Sequence, residues 1–456
     1  MTGSSFLADL LETVSDRGRA LLRRGDPNGP SGPGGPDALI DLCEALLSGR
    51  GEATGLAIAR DILERYAELD QAERLSLFQA LATRFGADTE RFQEALAAWQ
   101  SDPSDDRAAA LHFASEPRRQ EVFRRLNRAP GGMEALVGMR EDILGLLGDH
   151  RELESTDRDF HHLFSSWFNR GFLVLRRIDW STPAIILDKL IRYEAVHEIH
   201  DWDDLRSRTD PPDRRCYAFF HPALANEPLI FVEVALTRDV PDAIGPILAG
   251  ERTPLKAAEA TTAVFYSISN CQRGLQGVSF GNFLIKQVVD DLARDLPEIE
   301  TFVTLSPAPG FAAWLRSPAD DGTEGLLDAD RRSLLERLDE PGSLRDPATV
   351  EALQPRLLRL AAYYFLIAKN ARGEPLDPVA RFHLGNGARL DRLNWPADTS
   401  EKGIAQGAGL MVNYRYEQKH VERNHEAYAN HGEIAAAVAV SRHLKVPSAS
   451  EERVKA

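Results

Sequence analysis

Cysteine is scarce in this 456-residue chain, with only Cys43, Cys216 and Cys271 present. They form neither a CxxC pair nor an even framework, which excludes a disulfide scaffold and fits a reducing cytoplasm. Long apolar runs are missing as well. The opening stretch MTGSSFLADLLETVSDRGRALLRRG sets acids among its apolar positions, so neither a secretory signal nor a membrane span is expected. The end, EERVKA, carries no retention or peroxisomal address. Positive charge is in deficit, 54 basic against 70 acidic residues for a net charge of -16, which argues against a nucleic-acid partner. The arginines at 118, 119, 124 and 125 are read as a solvated helix face. Metal-ligand spacing is absent too. His161 and His162, and His197 and His200, lack Cys or carboxylate partners at zinc spacing. His420, His425 and His431 lie among Lys, Glu, Arg and Asn and read as a solvated segment.

What is present is enough apolar content, 43%, and enough length for two domains. GDPNGPSGPGGPD, residues 25–37, is a Pro/Gly-rich connector, so residues 1–36 are expected to be a flexible segment and linker. From residue 38 to about 148 apolar residues recur at three and four with Gly, Asp and Pro at the joints, the pattern of a helical bundle. A helical domain over 37–155 is expected, serving structure or oligomer contacts, with His112 as a packed histidine. Residues 156–456 form the second domain.

There the texture is mixed. FLVLRRI reads as a strand, a helix follows Ser181-Thr182-Pro183, and CYAFFHP and EPLIFVEVALT read as an antiparallel pair. TTAVFYSISN, a turn holding Gly274, Gly277 and Gly281, the helix FLIKQVVDDLARDLPEIE and the strand TFVTLS then make one βαβ crossover. The sheet is therefore mixed rather than doubly wound. Glycines ahead of a helix N-terminus suit phosphate or pyrophosphate, though such turns equally serve packing. The dinucleotide pattern G-x-G-x-x-G is absent. GLQGVS only approximates the acyl-CoA cradle of N-acetyltransferases. Ser306 stands at the carboxyl end of a strand, where α/β sheets place ligands, or caps a short helix over 311–316. His383 precedes an Asn-Gly turn.

Together FYSIS, GLQGVSFGNFLIK, LSPAPGF, RFHLGNGA, LNWPADTS and GLMVNYRY, in this order and with RRIDWSTPA and IRYEAVHEI upstream, resemble the malonyl-CoA decarboxylase family over residues 158–416. The resemblance implies an α+β, mixed fold: an N-terminal all-helical bundle, then an N-acetyltransferase-like (GNAT) catalytic domain with a mostly antiparallel sheet. It implies a carboxy-lyase turning malonyl-CoA into acetyl-CoA and CO2. It also implies Ser306 and His383 as catalytic residues, the first orienting the malonyl group and the second protonating the enolate. Ser267, Gln276, Gly277, Val278, Ser279, Phe280, Gly281, Asn282 and Tyr416 follow as substrate-binding residues. Some relatives carry glutamate where this chain has Ser279, which leaves no carboxylate at that loop position. The thioester carbonyl can itself delocalise the carbanion, so no cofactor or metal is expected. Nor is a nucleic-acid or membrane partner, while a homo-oligomer, dimer or tetramer, is expected through the helical domain. A GNAT-type acyl-CoA N-acyltransferase is the alternative, and it would need an amine acceptor.

Overall fold

The computed structural model of the chain describes residues 35–48, 51–280, 284–317, 334–338, 340 and 342–444. The Pro/Gly-rich connector up to residue 34, Gly281 and Asn282 lie outside the described residues. The chain divides into one compact unit of residues 1–173, 221–225 and 272–280, and a second of 174–220, 226–271 and 281–456.

The first unit is helical: α1 (Pro36–Leu47), α2 (Glu52–Glu68), α3 (Gln71–Arg84), α4 (Thr89–Ser101), α5 (Asp105–Ser115), α6 (Arg118–Leu126), α7 (Gly132–Leu146) and α8 (Glu154–Trp167). Local chemistry sets the boundaries. Asp70 and Glu73 form a reciprocal capping box at the start of α3, which satisfies two backbone N–H groups that helix geometry leaves without partners. The helix α8, expected to open the second domain, packs in the first unit instead. Phe160 stacks on Phe123 of α6 at 4.0 Å, and the buried Asp159 accepts from Arg119 Nε at 2.5 Å and from Gln120 Nε2 at 2.6 Å. Arg119 is thus a buried, paired residue and not part of a solvated face; Arg118, Arg124 and Arg125 are partly buried in ion pairs to Glu44, Glu116 and Glu121. His112 is exposed rather than packed, because α5 buries only Ala114 and α4 buries no side chain at all.

The second unit holds an eight-stranded sheet, β1 (Val174–Ile178), β2 (Arg214–Phe220), β3 (Pro228–Thr237), β4 (Thr262–Asn270), β5 (Thr301–Thr304), β6 (Ser306–Pro307), β7 (Arg389–Asn394) and β8 (Met411–Arg415). Their order is β1-β2-β3-β4-β5-β8-β6, with β7 also paired to β8. Every pairing is antiparallel except β4 with β5, the parallel pair that a βαβ crossover requires. Its crossover helix is α11 (Leu284–Asp295), following α9 (Ala184–Tyr193) and α10 (Trp202–Thr209). β2, β3 and β4 are buried almost throughout, which is why their sequences read as near-continuous apolar runs rather than alternating ones. The mixed, mostly antiparallel sheet after a helical domain stands as the sequence implied. Among the described residues no helix is long and apolar enough to cross a membrane.

Two irregularities open the sheet. The β3–β4 register slips between Glu233, opposite Ser267, and Val234, opposite Phe265, so Tyr266 is an extra residue that bends β4. The β4–β5 ladder stops at Phe265 and Thr304. Beyond that pair the chain turns away to join β8 through Ser306 and Pro307.

Candidate active site

A cavity of about 250 Å³ lies beside this opening. It is lined by Phe265, Tyr266, Ile268 and Asn270 of β4, Val196, Ser306 and Pro307, and Pro378, Val379, Phe382 and His383 of the helix α14 (Pro378–Gly385), which follows α12 (Phe311–Arg316) and α13 (Pro347–Leu366). Drug-sized ligands occupy roughly 300 to 1,000 Å³, so the space suits the acyl end of a larger molecule. Among the described lining residues there is no Lys or Arg.

Ser306 and His383, 77 residues apart in sequence, meet here. Ser306 Oγ is 3.0 Å from His383 Nε2, and both residues are buried. The helix that presents His383 is fixed at each end. Asp377 caps it, its Oδ1 accepting from Ala380 N at 2.8 Å, and Pro378 supplies a first-turn residue with no donor to satisfy. After His383 the chain leaves through Gly387 at φ +81°, the conformation for which the Asn-Gly turn selects glycine. The helix α16 (Val421–His431), which comes after α15 (Glu401–Gly407), holds this turn: His425 Nδ1 lies 2.7 Å from Gly385 O, and Asn424 Nδ2 donates to Gly387 O at 3.3 Å. The C-terminal histidine segment is therefore a packed helix, not a solvated stretch, in the case of His425.

The imidazole sits between hydroxyls. Its Nδ1 is 2.8 Å from Tyr416 Oη, and its face stacks on Tyr414 at 4.6 Å. Burial pushes His383 down to about 3, so the resting ring is neutral rather than an imidazolium of ordinary basicity. Burial likewise raises the Tyr416 phenol, keeping it protonated. Behind Ser306 stands Thr304, fully buried, 2.9 Å from Ser306 Oγ. The sequence reading missed Thr304, yet a signal was there: residues two apart on an extended chain share a face, and T-L-S sets hydroxyls at that spacing.

Other expected site residues are placed elsewhere. Ser267 does not line the cavity. Its hydroxyl bonds both oxygens of the buried Glu194, at 2.9 and 2.8 Å, and Ser269 Oγ reaches the same carboxylate at 3.3 Å. Glu194 also accepts from the N–H groups of Val196 and His197, while Lys402 Nζ bonds the carbonyls of Ala195 and Val196. Ser267 thus helps pin the segment that brings Val196 to the cavity wall. Tyr416 stands behind His383, outside the lining. Gln276, Gly277, Val278, Ser279 and Phe280 belong to the first unit. There the buried Arg140, paired with Asp157, donates to the carbonyls of Gly274 and Gln276 at 2.8 and 2.9 Å. Gly274 lies so close to α7 that a Cβ would stand 2.0 Å from Val137 O, which is the packing use of a turn glycine.

A buried serine–histidine pair beside a small, largely apolar cavity, at the parting of two parallel strands in a mixed sheet, is an arrangement suited to an enzyme site. Comparison with known proteins makes this specific. The family models described as malonyl-CoA decarboxylase C-terminal domain and N-terminal domain match residues 171–454 and 85–168. The chain is 39% identical over 397 residues to the mitochondrial malonyl-CoA decarboxylase of Anser anser anser, covering 80% of this chain and 78% of that one. To the Rattus norvegicus enzyme it is 36% identical over 403 residues, covering 80% and 81%. Crystal structures of malonyl-CoA decarboxylase from Rhodopseudomonas palustris and Agrobacterium vitis are 58% and 54% identical. They match with TM-scores of 0.87 and 0.85, over 90% of this chain and 100% of theirs in both cases. The chain belongs to the malonyl-CoA decarboxylase family and is a carboxy-lyase.

Proposed function

We propose that the chain converts malonyl-CoA to acetyl-CoA and CO2 with Ser306 orienting the malonyl group and His383 supplying the proton. The single observation that carries this is the Ser306–His383 contact at 3.0 Å inside a cavity of acyl-group size. Breaking the bond to the carboxylate leaves its electron pair on the thioester enolate, and a new C–H bond completes acetyl-CoA. One proton per turnover is drawn from solvent. A carboxylate in a cavity lined without Lys or Arg loses water and gains no counter-charge, which favours its departure as neutral CO2. Backbone N–H groups of β4 beyond Phe265, where the β5 ladder has ended, are the donors for the enolate oxygen. The loop from Gln276 to Asn282 binds the substrate, and the Arg140 bonds that fix its backbone support this.

The lowered His383 basicity decides the protonation state at work. A substrate carboxylate about 4 Å away contributes about 4 kcal/mol at an effective dielectric near 20, a rise of about three pH units that brings the ring back toward, but not above, the ordinary histidine value and so leaves it mostly neutral above pH 7. The neutral imidazole is therefore the donor, and a thioester enolate is basic enough to take its proton. Purified protein given malonyl-CoA alone should release acetyl-CoA and CO2 with kcat nearly level from pH 7 to 9. An imidazolium donor of ordinary basicity would instead lose about tenfold per pH unit above roughly 6.5, and that slope would refute the neutral donor. Absence of turnover with CoA still bound would move the reading to an N-acyltransferase. Raised KM in Gln276→Ala tests the loop in the same assay. Below pH 7 a second effect enters. The folded ring titrates near 3 and the unfolded one near 6.5, so the unfolded state binds the extra proton and stability is lost as pH falls through that window.

We also infer a homo-oligomer in a reducing cytoplasm. Trp99 and Phe113 are exposed on the two helices α4 and α5, which bury almost nothing, and the three cysteines are free and buried. Light scattering should give at least two 50.5 kDa chains, and thiol titration in denaturant three free cysteines per chain. A monomer, or fewer thiols, would overturn the corresponding statement.

A further inference from the structure

The hydroxyls around His383 form a single file whose proton direction can be worked out by counting donors and acceptors. From one end the contacts are Tyr416 Oη to His383 Nδ1 at 2.8 Å, His383 Nε2 to Ser306 Oγ at 3.0 Å, and Ser306 Oγ to Thr304 Oγ1 at 2.9 Å. Thr304 Oγ1 also accepts the Tyr414 N–H at 3.1 Å and has the Val412 carbonyl at 3.5 Å. A neutral imidazole carries one ring proton, so only two arrangements exist.

In the first, Tyr416 donates to Nδ1, Nε2–H donates to Ser306, Ser306 donates to Thr304, and Thr304 donates to Val412 O. Every hydroxyl proton then has an acceptor, the last at long range. In the second, everything reverses: Thr304 donates to Ser306, Ser306 to Nε2, and Nδ1–H to Tyr416. The Tyr416 proton then has no acceptor among the described residues, in a side chain only 2% exposed. An unmade hydrogen bond at a buried donor costs roughly 1–3 kcal/mol, more than the difference between a good and a long bond at Thr304. The first arrangement wins.

We propose that Thr304 is a positioning residue that, together with the Tyr416 phenol at the other end of the file, sets this direction. Its second lone pair takes the Ser306 proton when the cavity is empty. Ser306 thereby offers a lone pair, not a proton, to His383, and the ring is held with its proton on Nε2, the nitrogen that faces Ser306. When a substrate oxygen arrives, the Ser306 proton turns from Thr304 to it. The Nε2 proton stays available for the carbanion. Thr304 touches no substrate; it acts through Ser306 and His383. This assignment rests on the decarboxylase reading for its kinetic consequence, but the tautomer does not depend on turnover.

The test uses full-length protein labelled with ¹⁵N-histidine, with the His383 ring signals identified by their loss in His383→Ala. In wild type the shifts and couplings should report a neutral ring protonated at Nε2; a ring protonated at Nδ1 would overturn the proposal whatever the kinetics show. In Thr304→Val the acceptor is gone and Nε2 is the remaining protein acceptor for Ser306, so the Nδ1–H form should gain population against Nε2–H, and an unchanged ring spectrum would remove Thr304 from the file. In the same variant kcat should fall about ten- to a hundredfold while KM changes less than threefold. Thr304→Ser, which keeps the hydroxyl, should restore both the Nε2–H form and most of kcat. Loss of kcat in Thr304→Ser equal to that in Thr304→Val would assign the residue a packing role only. Should Thr304→Val not fold, because the Tyr414 N–H also loses its acceptor, the wild-type tautomer and Thr304→Ser still decide. If wild type makes no acetyl-CoA the decarboxylase reading fails alone, since the ring spectrum is read independently of it.

Discussion

His383→Ala should lower kcat about a hundred- to ten-thousandfold, the range that a positioned proton donor supplies. Ser306→Ala should lower it about ten- to a hundredfold, which corresponds to one hydrogen bond to a charged group at 1.5–3 kcal/mol. Neither change should abolish CoA binding, because the nucleotide end of the substrate lies beyond a cavity of only about 250 Å³. The two residues share one contact and serve one proton transfer, so their effects should not add. The double variant should be no slower than His383→Ala within about threefold, as expected of groups that act as a unit. Stability needs separate measurement, since removing the imidazole leaves Tyr416 Oη without its partner and a gap against Tyr414. A His383→Ala protein that is folded and turns over at the wild-type rate would remove the residue from the mechanism.

Gly387→Ala should be among the most damaging single methyl additions in the chain. Gly387 has φ +81°, where an L side chain costs about 1–2 kcal/mol. A Cβ there would also stand 2.1 Å from the carbonyl oxygen of Val421 and 2.9 Å from its Cγ1. The obstacle is backbone at the head of α16, so it cannot swing aside as a side chain end would, and overpacking of this kind costs a further 1–3 kcal/mol or more. Roughly 3 kcal/mol in all is a large share of the 5–15 kcal/mol typical of a folded protein. The position also transmits to the site. Gly387 N bonds Leu384 O, and the next residue, Ala388, donates to His383 O, so α16 can move only by shifting the end of the helix that carries the imidazole. A lowered urea midpoint together with reduced kcat in the folded fraction is the expected result. An unchanged midpoint would show that α16 yields freely.

These expectations draw unequally on sequence and structure. Strand and helix identity was legible because it is set locally. The extended runs of β2, β3 and β4, the Pro183 start of α9 and the crossover ending in TFVT all follow from periodicity and from Pro and Gly chemistry that a short window contains. The ordered motifs from FYSIS to NYRY sufficed to place the chain in its family, and they singled out Ser306 and His383. What a short window cannot contain is which hydroxyl faces which partner. Ser267 was expected at the substrate from the family resemblance; no window of sequence shows that its hydroxyl bonds Glu194, 73 residues earlier. Nor does sequence show that the Tyr416 hydroxyl meets His383 Nδ1. Arg119 was expected in solvent and is buried because α8 lays Asp159 against it. The basicity of His383 was beyond the sequence for the same reason: the ordinary value belongs to a hydrated ring, and dehydration is the work of residues from β8, α14 and the end of β5 closing around it. Sequence alone determined the elements and the family, and it singled out the Ser306 and His383 side chains for which reacting roles are proposed, since those depend on local pattern and motif order. Only the tertiary structure brought together the Tyr416–His383–Ser306–Thr304 contacts and the wall that Glu194 holds, because each depends on burial and on distances between segments far apart in the chain.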